Sequence, residues 1–462
     1  MRMKKLSVLL AAAMAVSMMG APVEAANFID INEKNFPDKY FRQYIESEFD
    51  SNGDGKLSAK EISKVREMNV SDASGPVRKL TGIEYFADLT HLICSYNNID
   101  SLDLSKNTEL TYLNCESNID ITDFDISKNT KLTYLDCNAT NIAKLDISNN
   151  TELTYLNCSW TNITSLYLSK NTKLTDLDCS SNGITSLDVS KNTELSYLDC
   201  WENDLKSLDI SKNTKLTYLH CSKTGLTNLD LSQNTELVSL SCNSNLLTNL
   251  DISKNTKLEE LYCSDNQLTS LGISKNTKLE ELHCSDNKLS KLDVSKNTRI
   301  YCFECENNAI TSLDLSNNTI LAQLVCSGNK LTSLDLSNNS ELELLWCEKN
   351  LFKSLDISKN PKIKELKCGN NKLISIDLSS NPVCSTFTVE KNIFRLSAVV
   401  GVTYDLSRLK KYGFDPERTS NWKGAEFDKE TNTIKINSDT ITYDYDAGGH
   451  IVQFTLTTAG KK

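Results

Sequence analysis

Fourteen of the sixteen cysteines in this chain recur at an almost constant spacing, which constrains the fold more strongly than any other feature. Twelve of the thirteen intervals are 21 residues and the remaining one is 22. The same local pattern surrounds each cysteine, as in the repeat from Leu195 to Thr214. A period this short makes each repeat one structural unit, which buries its apolar side chains only by stacking on its neighbours. The ladder cysteines are Cys94, Cys115, Cys137, Cys158, Cys179, Cys200, Cys221, Cys242, Cys263, Cys284, Cys305, Cys326, Cys347 and Cys368.

The repeat reads L-x-x-L-x-C-x-x-N-x and then L-x-x-L-x-[LIV]-x-x-N-x-x, which is typical of leucine-rich repeats. Both halves place apolar residues two apart, the period of a β-strand. We therefore predict a β-rich leucine-rich repeat solenoid of 21-residue coils over residues 76–385. Its concave face should carry parallel strands, and its opposite face a shorter extended segment. Repeated asparagines, such as Asn203 and Asn213, should bond backbone groups of the turns.

Cysteines in an exported chain usually indicate disulfides, but this ladder predicts buried free thiols. Each thiol occupies an apolar slot of its repeat, and side chains of parallel neighbours project in the same direction. A disulfide instead needs converging side chains and a dihedral angle near ~90°. Ladder cysteines should therefore pack as small apolar groups. Cys302 and Cys384 fall outside the ladder, and Cys302, which points outward from its strand, is expected to be alkylated first.

Both ends of the chain depart from the repeat. Residues 1–25 have the charged start, apolar run and small residues of a secretory signal peptide, cleaved after Ala25. Residues 26–75 predict a helical cap, with one helix from Pro37 to Phe49 and a second through about Glu67. Residues 386–462 have alternating apolar positions and a glycine-rich turn, and predict a small antiparallel β domain that closes the array.

Charge and hydropathy limit the environment and the partners of this chain. Its net charge is −11, which disfavours nucleic acid and anionic membranes as partners. After the signal peptide, no apolar run is long enough to span a membrane. No wall-sorting signal is evident. We expect a secreted, monomeric protein that neither inserts into a membrane nor binds nucleic acid.

Residues 50–61 match the calcium-binding loop of an EF-hand at every defining position. Three side-chain oxygens come first, a glycine allows the sharp bend, and a carbonyl, a hydroxyl and a final carboxylate follow. The predicted cofactor is Ca²⁺, in a structural role. A metal-free or low-affinity relic is the alternative, because EF-hands usually work in pairs and no second loop is present in the sequence. The predicted ligands are Asp50, Asn52, Asp54, Lys56, Ser58 and Glu61.

Residues suited to catalysis are scarce, and we expect no enzymatic activity. His220 and His283 share a column but lie three coils apart, ~14 Å by strand spacing, which is too far to share a metal ion. Cys302 and Cys305 have C-x-x-C spacing but point to opposite faces of their strand. The repeated aspartates and lysines, and the glutamate and lysine that alternate before the first leucine, are expected to keep neighbouring coils in register.

Aromatic residues are concentrated at outward or rim positions of six consecutive coils. Tyrosine and tryptophan offer a large contact area at low entropic cost, which favours a protein ligand on the concave face. They also stack on sugars, so a glycan ligand stays open. The alternative is a structural or adhesive spacer without a specific ligand, since tyrosine is also a good strand former. The predicted ligand-binding residues are Tyr112, Tyr134, Tyr155, Trp160, Tyr197, Trp201, Tyr218, His220, Asp136, Asp178 and Asp199.

The chain resembles secreted leucine-rich repeat proteins of gut-type Gram-positive bacteria. The resemblance rests on residues 31–37, on the calcium loop, on residues 82–86 and on the cysteine repeats, and it covers nearly the whole mature chain. The chain is also distantly similar to the internalin architecture, in which a helical EF-hand-like cap precedes the repeats. That resemblance implies an interaction surface and no catalysis.

Overall fold

A computed structural model describes residues 28–459. The chain divides into two compact units, Met1–Ile163 and Thr164–Lys462, and each has its own parallel strands. The predicted signal peptide, residues 1–25, lies outside the described residues. No helix among the described residues is both long and apolar enough to cross a membrane.

The first unit begins with a pair of short antiparallel strands and a helix. Strand β1 (Ile29–Asp30) pairs antiparallel with β2 (Lys56–Leu57), and the helix Lys39–Phe49 lies between them in the sequence. Asp38 caps this helix, because its carboxylate accepts the N–H groups of Tyr40 and Phe41 at 2.9 and 3.0 Å. The helix buries Phe41 and Ile45, which lie on one face, as its spacing predicts.

The predicted second helix through Glu67 is wrong beyond its first turn. It spans only Ala59–Ile62, and Glu67–Asn69 is instead the first strand of the parallel sheet, β3. Pairing with the next strand satisfies the backbone of this segment and leaves Met68 only 2% exposed. Short 3-10 turns follow at Val70–Asp72 and Ile83–Tyr85.

Each coil contributes one three-residue strand to a parallel sheet, as the period predicts. The strands pair in register, so that Tyr112 lies opposite Tyr134 and Leu113 opposite Leu135. In every strand that precedes a ladder cysteine, the central residue (Phe303 in one strand and leucine in the others) points inward with that cysteine, and both are buried. In the first unit the strands after β3 are β4 (His91–Ile93), β5 (Tyr112–Asn114), β6 (Tyr134–Asp136) and β7 (Tyr155–Asn157).

The second unit continues the same pattern through eleven strands. Its last strand lies just beyond residue 385, the predicted end of the array. The strands are β8 (Asp176–Asp178), β9 (Tyr197–Asp199), β10 (Tyr218–His220), β11 (Ser239–Ser241), β12 (Glu260–Tyr262), β13 (Glu281–His283), β14 (Cys302–Glu304), β15 (Gln323–Val325), β16 (Leu344–Trp346), β17 (Glu365–Lys367) and β18 (Thr386–Thr388).

Two columns of buried asparagines join neighbouring coils. The Asn203 amide donates to the carbonyls of Cys179 and Cys200, both at 3.0 Å, and its oxygen accepts the Ile184 N–H at 3.0 Å. In the second column, the Asn213 amide donates to the carbonyls of Val189 and Asn192 at 3.0 and 2.8 Å. The asparagines therefore bond the backbone, as predicted, and each one ties two successive coils together.

The opposite half of each coil is extended but forms no continuous β-sheet among the described residues. Its backbone pairs at isolated bridges, such as Asp103 with Asp125, and through single hydrogen bonds between coils, such as that from the Gln267 N–H to the Leu247 carbonyl at 2.9 Å. An aspartate in this half accepts the N–H of the serine two residues later, as in Asp251 with Ser253 at 2.9 Å. These aspartates therefore close local turns, which gives the acidic column a structural role.

Alternating charges also connect the coils, as predicted. Lys131 lies 2.6 Å from Glu109, and Lys215 lies 2.5 Å from Glu194. These side chains are about half exposed, so each pair contributes only ~0–1 kcal/mol, mainly to the register of the coils.

After β18 the chain forms two small sheets. They are mostly antiparallel, although β19 pairs parallel with β25. This region packs on the last coils, where the buried Tyr443 hydroxyl donates to the Ile374 carbonyl at 2.5 Å. The strands are β19 (Ile393–Arg395), β20 (Thr403–Asp405), β21 (Thr419–Lys423), β22 (Ala425–Asp428), β23 (Thr433–Ile436), β24 (Thr440–Asp446) and β25 (Ile451–Thr457), with 3-10 helices at Leu406–Tyr412 and Pro416–Arg418.

Candidate functional site

The first unit carries a stack of aromatic rings on its strand face. Tyr112, Tyr134 and Tyr155, here called the tyrosine ladder, project from adjacent strands that pair in register. Their ring centroids are 4.1 and 4.2 Å apart, and the ring planes lie within 9° of each other. His91 extends the stack, 5.6 Å from Tyr112. All three tyrosines are half-buried, and burial raises the pKa of the Tyr134 hydroxyl, which is therefore neutral at physiological pH.

The other predicted ligand residues of the first unit differ sharply in exposure. Trp160 is 59% exposed and has a positive φ of 53°, so it lies in the turn two residues after Cys158. Asp136 is only 6% exposed, and its carboxylate accepts the Asn138 N–H at 3.1 Å. Asp136 thus caps the turn after its own strand and offers little of its carboxylate to a ligand.

The second unit brings together four of the predicted residues, here called the Trp201 group: Tyr197, Trp201, Tyr218 and His220. The two tyrosine rings stack at 4.4 Å and within 4°. The rings of Trp201 and His220 are 6.1 Å apart, and Lys223 Nζ lies 5.2 Å from the Trp201 ring.

The two predicted polar partners in this unit, Asp178 and Asp199, accept hydrogen bonds from the turns that follow their strands. Asp199 accepts the Trp201 N–H at 2.9 Å and lies 3.0 Å from His220 Nδ1 through its other oxygen. Asp178 accepts the Ser180 N–H and hydroxyl at 3.0 and 2.6 Å. Burial raises the pKa of Asp178, although the bonds from Ser180 oppose that rise.

The ladder cysteines are buried thiols, as predicted. Several donate weakly to a carbonyl of the next coil, as Cys200 does to His220 at 3.5 Å. Burial raises the pKa of Cys94 and of Cys242 to about 12, so the reactive thiolate is scarce at physiological pH. The expectation that Cys302 is the most accessible thiol is wrong, because neighbouring side chains leave it only 7% exposed, whereas Cys384 is half-buried.

The loop of residues 50–61 folds around its own carboxylates. Asp50 accepts the N–H groups of Gly53 and Gly55 at 2.9 and 2.8 Å, and both glycines have positive φ. Asp54 accepts the Lys56 N–H at 2.9 Å and the Asn52 amide at 3.0 Å. Hydrogen bonds within one tight turn thus hold the side chains of Asp50, Asn52 and Asp54 in place.

Glu61 closes this loop from the following helix. Its two oxygens accept the N–H groups of Ser51 and Ser58 at 2.9 and 2.8 Å, and both serine hydroxyls also donate to it. These bonds, led by that from the Ser58 backbone, hold the pKa of Glu61 at about 2. Glu61 is therefore ionised at physiological pH, and because these four hydrogen bonds occupy its lone pairs, a bound cation would displace at least one of the serine donors.

Sequence analysis missed a cluster on strands β13 and β14. His283, Cys302 and Glu304, here called the His283 cluster, lie on two adjacent strands of the second unit. Nearby, Glu281 accepts a hydrogen bond from the Tyr262 hydroxyl at 2.5 Å and another from Tyr301. The sequence could have revealed this cluster, because strands that pair in register place the outward residues of neighbouring coils side by side.

Comparisons with known proteins find relatives of the repeats and of nearly the whole chain. A family model described as Leucine Rich repeats (2 copies) matches residues 256–297. The functional domain of InlJ from Listeria monocytogenes, described as including a cysteine ladder, is 35% identical with a TM-score of 0.85. The match covers 94% of this chain and 99% of that domain. The chain belongs to the internalin family.

Other matches of this internalin-family chain are more limited. Internalin J from Listeria monocytogenes serotype 4b (strain F2365) is 37% identical over 73 residues, which span 16% of this chain and only 8% of that protein. An internalin, InlF, from Listeria monocytogenes matches 78% of this chain and 96% of its own at 21% identity, with a TM-score of 0.53, and shows the shared fold alone. The predicted leucine-rich repeat fold and the internalin resemblance are confirmed.

Proposed function

We propose that this internalin-family protein is a secreted binding protein whose ligand is a protein that contacts the strand face of the repeats. The support is the presence of half-exposed aromatic rings in each unit, namely the tyrosine ladder in the first and the Trp201 group in the second. Such residues dominate the binding energy of protein interfaces. We propose binding without catalysis, because the histidine and the carboxylates beside these rings bond to one another and to the turns.

The stacking geometry favours a protein ligand over a glycan. Tyr134 has a parallel ring on each side, at 4.1 and 4.2 Å, so both of its faces are covered. A sugar stacks on an aromatic face, and Tyr134 offers only its edge and hydroxyl. Edges and hydroxyls suit the close packing and hydrogen bonding of a protein interface. This covered ring is the observation that carries the proposal.

A spacer without a specific ligand is the second candidate. Tyrosines that stack across neighbouring strands stabilise the sheet whether or not a ligand binds. The same rings therefore fit a purely structural role. The exposed tryptophan Trp160 is not explained in this way, because it lies in a turn and not in a strand.

Binding arrays with two sets of immobilised targets, extracellular proteins and glycans, separate these candidates. We expect saturable binding to a protein, with Tyr134→Ala and Trp201→Ala each weakening it by ~1–3 kcal/mol. Tyr167→Ala is the matched control, because Tyr167 is 79% exposed but lies in the second half of its repeat. Binding to glycans alone, equal loss in the control, or no saturable binding in either array would contradict the proposal, and the last result would favour the spacer.

We also propose that the loop of residues 50–61 binds one structural Ca²⁺. Asp50, Asn52, Asp54, Ser58 and Glu61 would hold it with side-chain oxygens and Lys56 with its carbonyl, which matches the preference of this cation. The pairing of β1 with β2 supports the proposal. Leu57 pairs with Ile29, so a strand from the start of the described chain takes the place that a second EF-hand loop usually fills. Bound Ca²⁺ would neutralise the facing carboxylates and stiffen the cap.

Calorimetric titration and thermal melting test the calcium proposal. The expected result is one Ca²⁺ per chain and a rise in melting temperature, since ion at about 100 times Kd adds ~2.7 kcal/mol to the folded cap. Asp54→Ala should abolish both effects. Asp88→Ala is the control, because Asp88 pairs with Arg66 outside the loop. No heat of binding in the wild type, or equal losses in both variants, would show that the loop is a metal-free relic.

A further inference from the structure

The His283 cluster joins three different ligand types at one place on the strand face. His283 Nε2 and Cys302 Sγ are 3.7 Å apart, and Glu304 Oε2 is 2.9 Å from His283 Nδ1. One nitrogen, one sulfur and one carboxylate oxygen from these residues all lie within 4.8 Å of one another. The three side chains come from adjacent strands held in register, so their spacing is fixed by the sheet and not by a flexible loop.

We propose that His283, Cys302 and Glu304 bind one thiophilic divalent cation, for which Zn²⁺ is the test ion. Thiolate, imidazole and carboxylate are the three side-chain types that bind zinc, whereas a sulfur ligand disfavours Ca²⁺ and Mg²⁺. Zinc bonds of ~2.3 Å to sulfur and ~2.0 Å to nitrogen in a tetrahedron would separate the two atoms by ~3.6 Å. The observed 3.7 Å between Sγ and Nε2 fits this separation with little movement.

The surroundings of the cluster orient its ligands. The Glu304 carboxylate at Nδ1 favours the tautomer that leaves the Nε2 lone pair directed toward Cys302, the usual arrangement around a zinc-bound histidine. The Glu304 side chain is 34% exposed, which leaves room for it to turn toward the ion, and in that case the ion replaces His283 Nδ1 as its partner. Glu281 lies 3.7 Å from Nε2 and adds negative charge beside the cation. Cys302 is only 7% exposed, which shields its sulfur from bulky reagents but leaves it beside the imidazole.

His220 provides a natural comparison within the same unit. It occupies the same column as His283 and also lies beside a carboxylate, Asp199, at 3.0 Å. On the strand after His220 the position equivalent to Cys302 is Ser239. The His220 position therefore has the imidazole and the carboxylate without the thiol, and it should not bind a thiophilic ion.

The test is a Zn²⁺ titration of the full chain, reduced and kept in excess Ca²⁺ so that the loop of residues 50–61 is filled. We expect one tight Zn²⁺ site, which Cys302→Ser weakens at least tenfold. Glu304→Gln should weaken it roughly tenfold, whether Glu304 ligates the ion or orients the histidine. Co²⁺ in place of Zn²⁺ should give a sulfur-to-cobalt absorption band that disappears in Cys302→Ser. His220→Gln is the matched control and should bind like the wild type.

Melting curves without metal verify that each variant is folded. Cys302→Ser changes one atom, and Glu304→Gln keeps shape at a partly exposed position, so at least one variant remains informative. The proposal is overturned if the wild type binds no Zn²⁺, if folded Cys302→Ser binds it as tightly, or if His220→Gln loses as much affinity. Absence of the Co²⁺ band in the wild type would also overturn it, because the sulfur would then not be a ligand.

Discussion

Replacing Asn203 by alanine should destabilise the second unit by ~2–5 kcal/mol. The amide makes three short hydrogen bonds, two to the carbonyls of Cys179 and Cys200 and one from the Ile184 N–H, each at 3.0 Å. A buried hydrogen bond contributes ~0.5–1.5 kcal/mol net, and a buried N–H left without a partner costs ~1–3 kcal/mol. Asn203 is only 8% exposed, so water is poorly placed to replace the amide.

The next coil has a threonine in place of this asparagine, and so shows a side chain that keeps only part of the hydrogen bonding. At Thr224, the equivalent position of the next coil, the hydroxyl keeps one of these bonds by donating to the Cys221 carbonyl at 2.6 Å. Asn203→Thr should therefore cost about half as much as Asn203→Ala. Conversely, Thr224→Asn should stabilise the unit by ~1 kcal/mol, because it adds an amide donor between two coils.

Urea unfolding followed by tryptophan fluorescence measures these differences, because Trp201 lies two residues from Asn203. Hydrogen exchange at the Ile184 N–H shows whether the coil opens locally before the unit unfolds, as repeat arrays often do. The reasoning is refuted if Asn203→Ala costs less than ~1 kcal/mol, or if the threonine and alanine variants are equally destabilised.

Two further predictions concern thiols and acid. In native alkylation followed by mass spectrometry, Cys384 should be labelled first and Cys302 and the ladder only after denaturation, since these are buried; ladder labelling as fast as that of Cys384 would contradict this. Hydrogen bonds from the serine two residues later, chiefly from its backbone N–H, lower the pKa of Asp209, Asp230 and Asp251. A pKa lowered by folding adds stability above the unfolded value of ~3.9, and this stability is lost as the pH falls through the folded pKa. The melting temperature should therefore drop below about pH 4 less steeply when these three aspartates are replaced by asparagine, and an unchanged acid profile would contradict the assignment.

The period of the sequence was sufficient to predict the fold, because each repeat independently shows which of its residues point inward. Once Leu198 and Cys200 point inward, Tyr197 and Asp199 must point outward, and every later coil repeats the choice. The extent of the second helix was harder to predict, since Glu67–Asn69 has no β signal by itself. That segment becomes a strand only because β4 is present beside it.

The candidate sites were less predictable because they depend on neighbours in different coils. The exposure of an aspartate depends on whether it caps the turn after its strand, as Asp136 does by accepting the Asn138 N–H. The His283 cluster combines two columns of outward residues, because His283 and Glu304 are register partners in one column and Cys302 belongs to the column of Glu281. The partner strand of the calcium loop, Ile29–Asp30, is two residues long, which is too short for periodicity to detect.

The tyrosine ladder also has an optical consequence. Chromophores held 4.1 to 4.2 Å apart with nearly parallel planes couple their electronic transitions, so the near-ultraviolet circular dichroism of the first unit should contain an exciton signal. That signal depends on the relative angle of the rings and disappears once neighbouring strands slip or separate. The first unit thus contains an intrinsic, label-free reporter of the alignment of neighbouring coils.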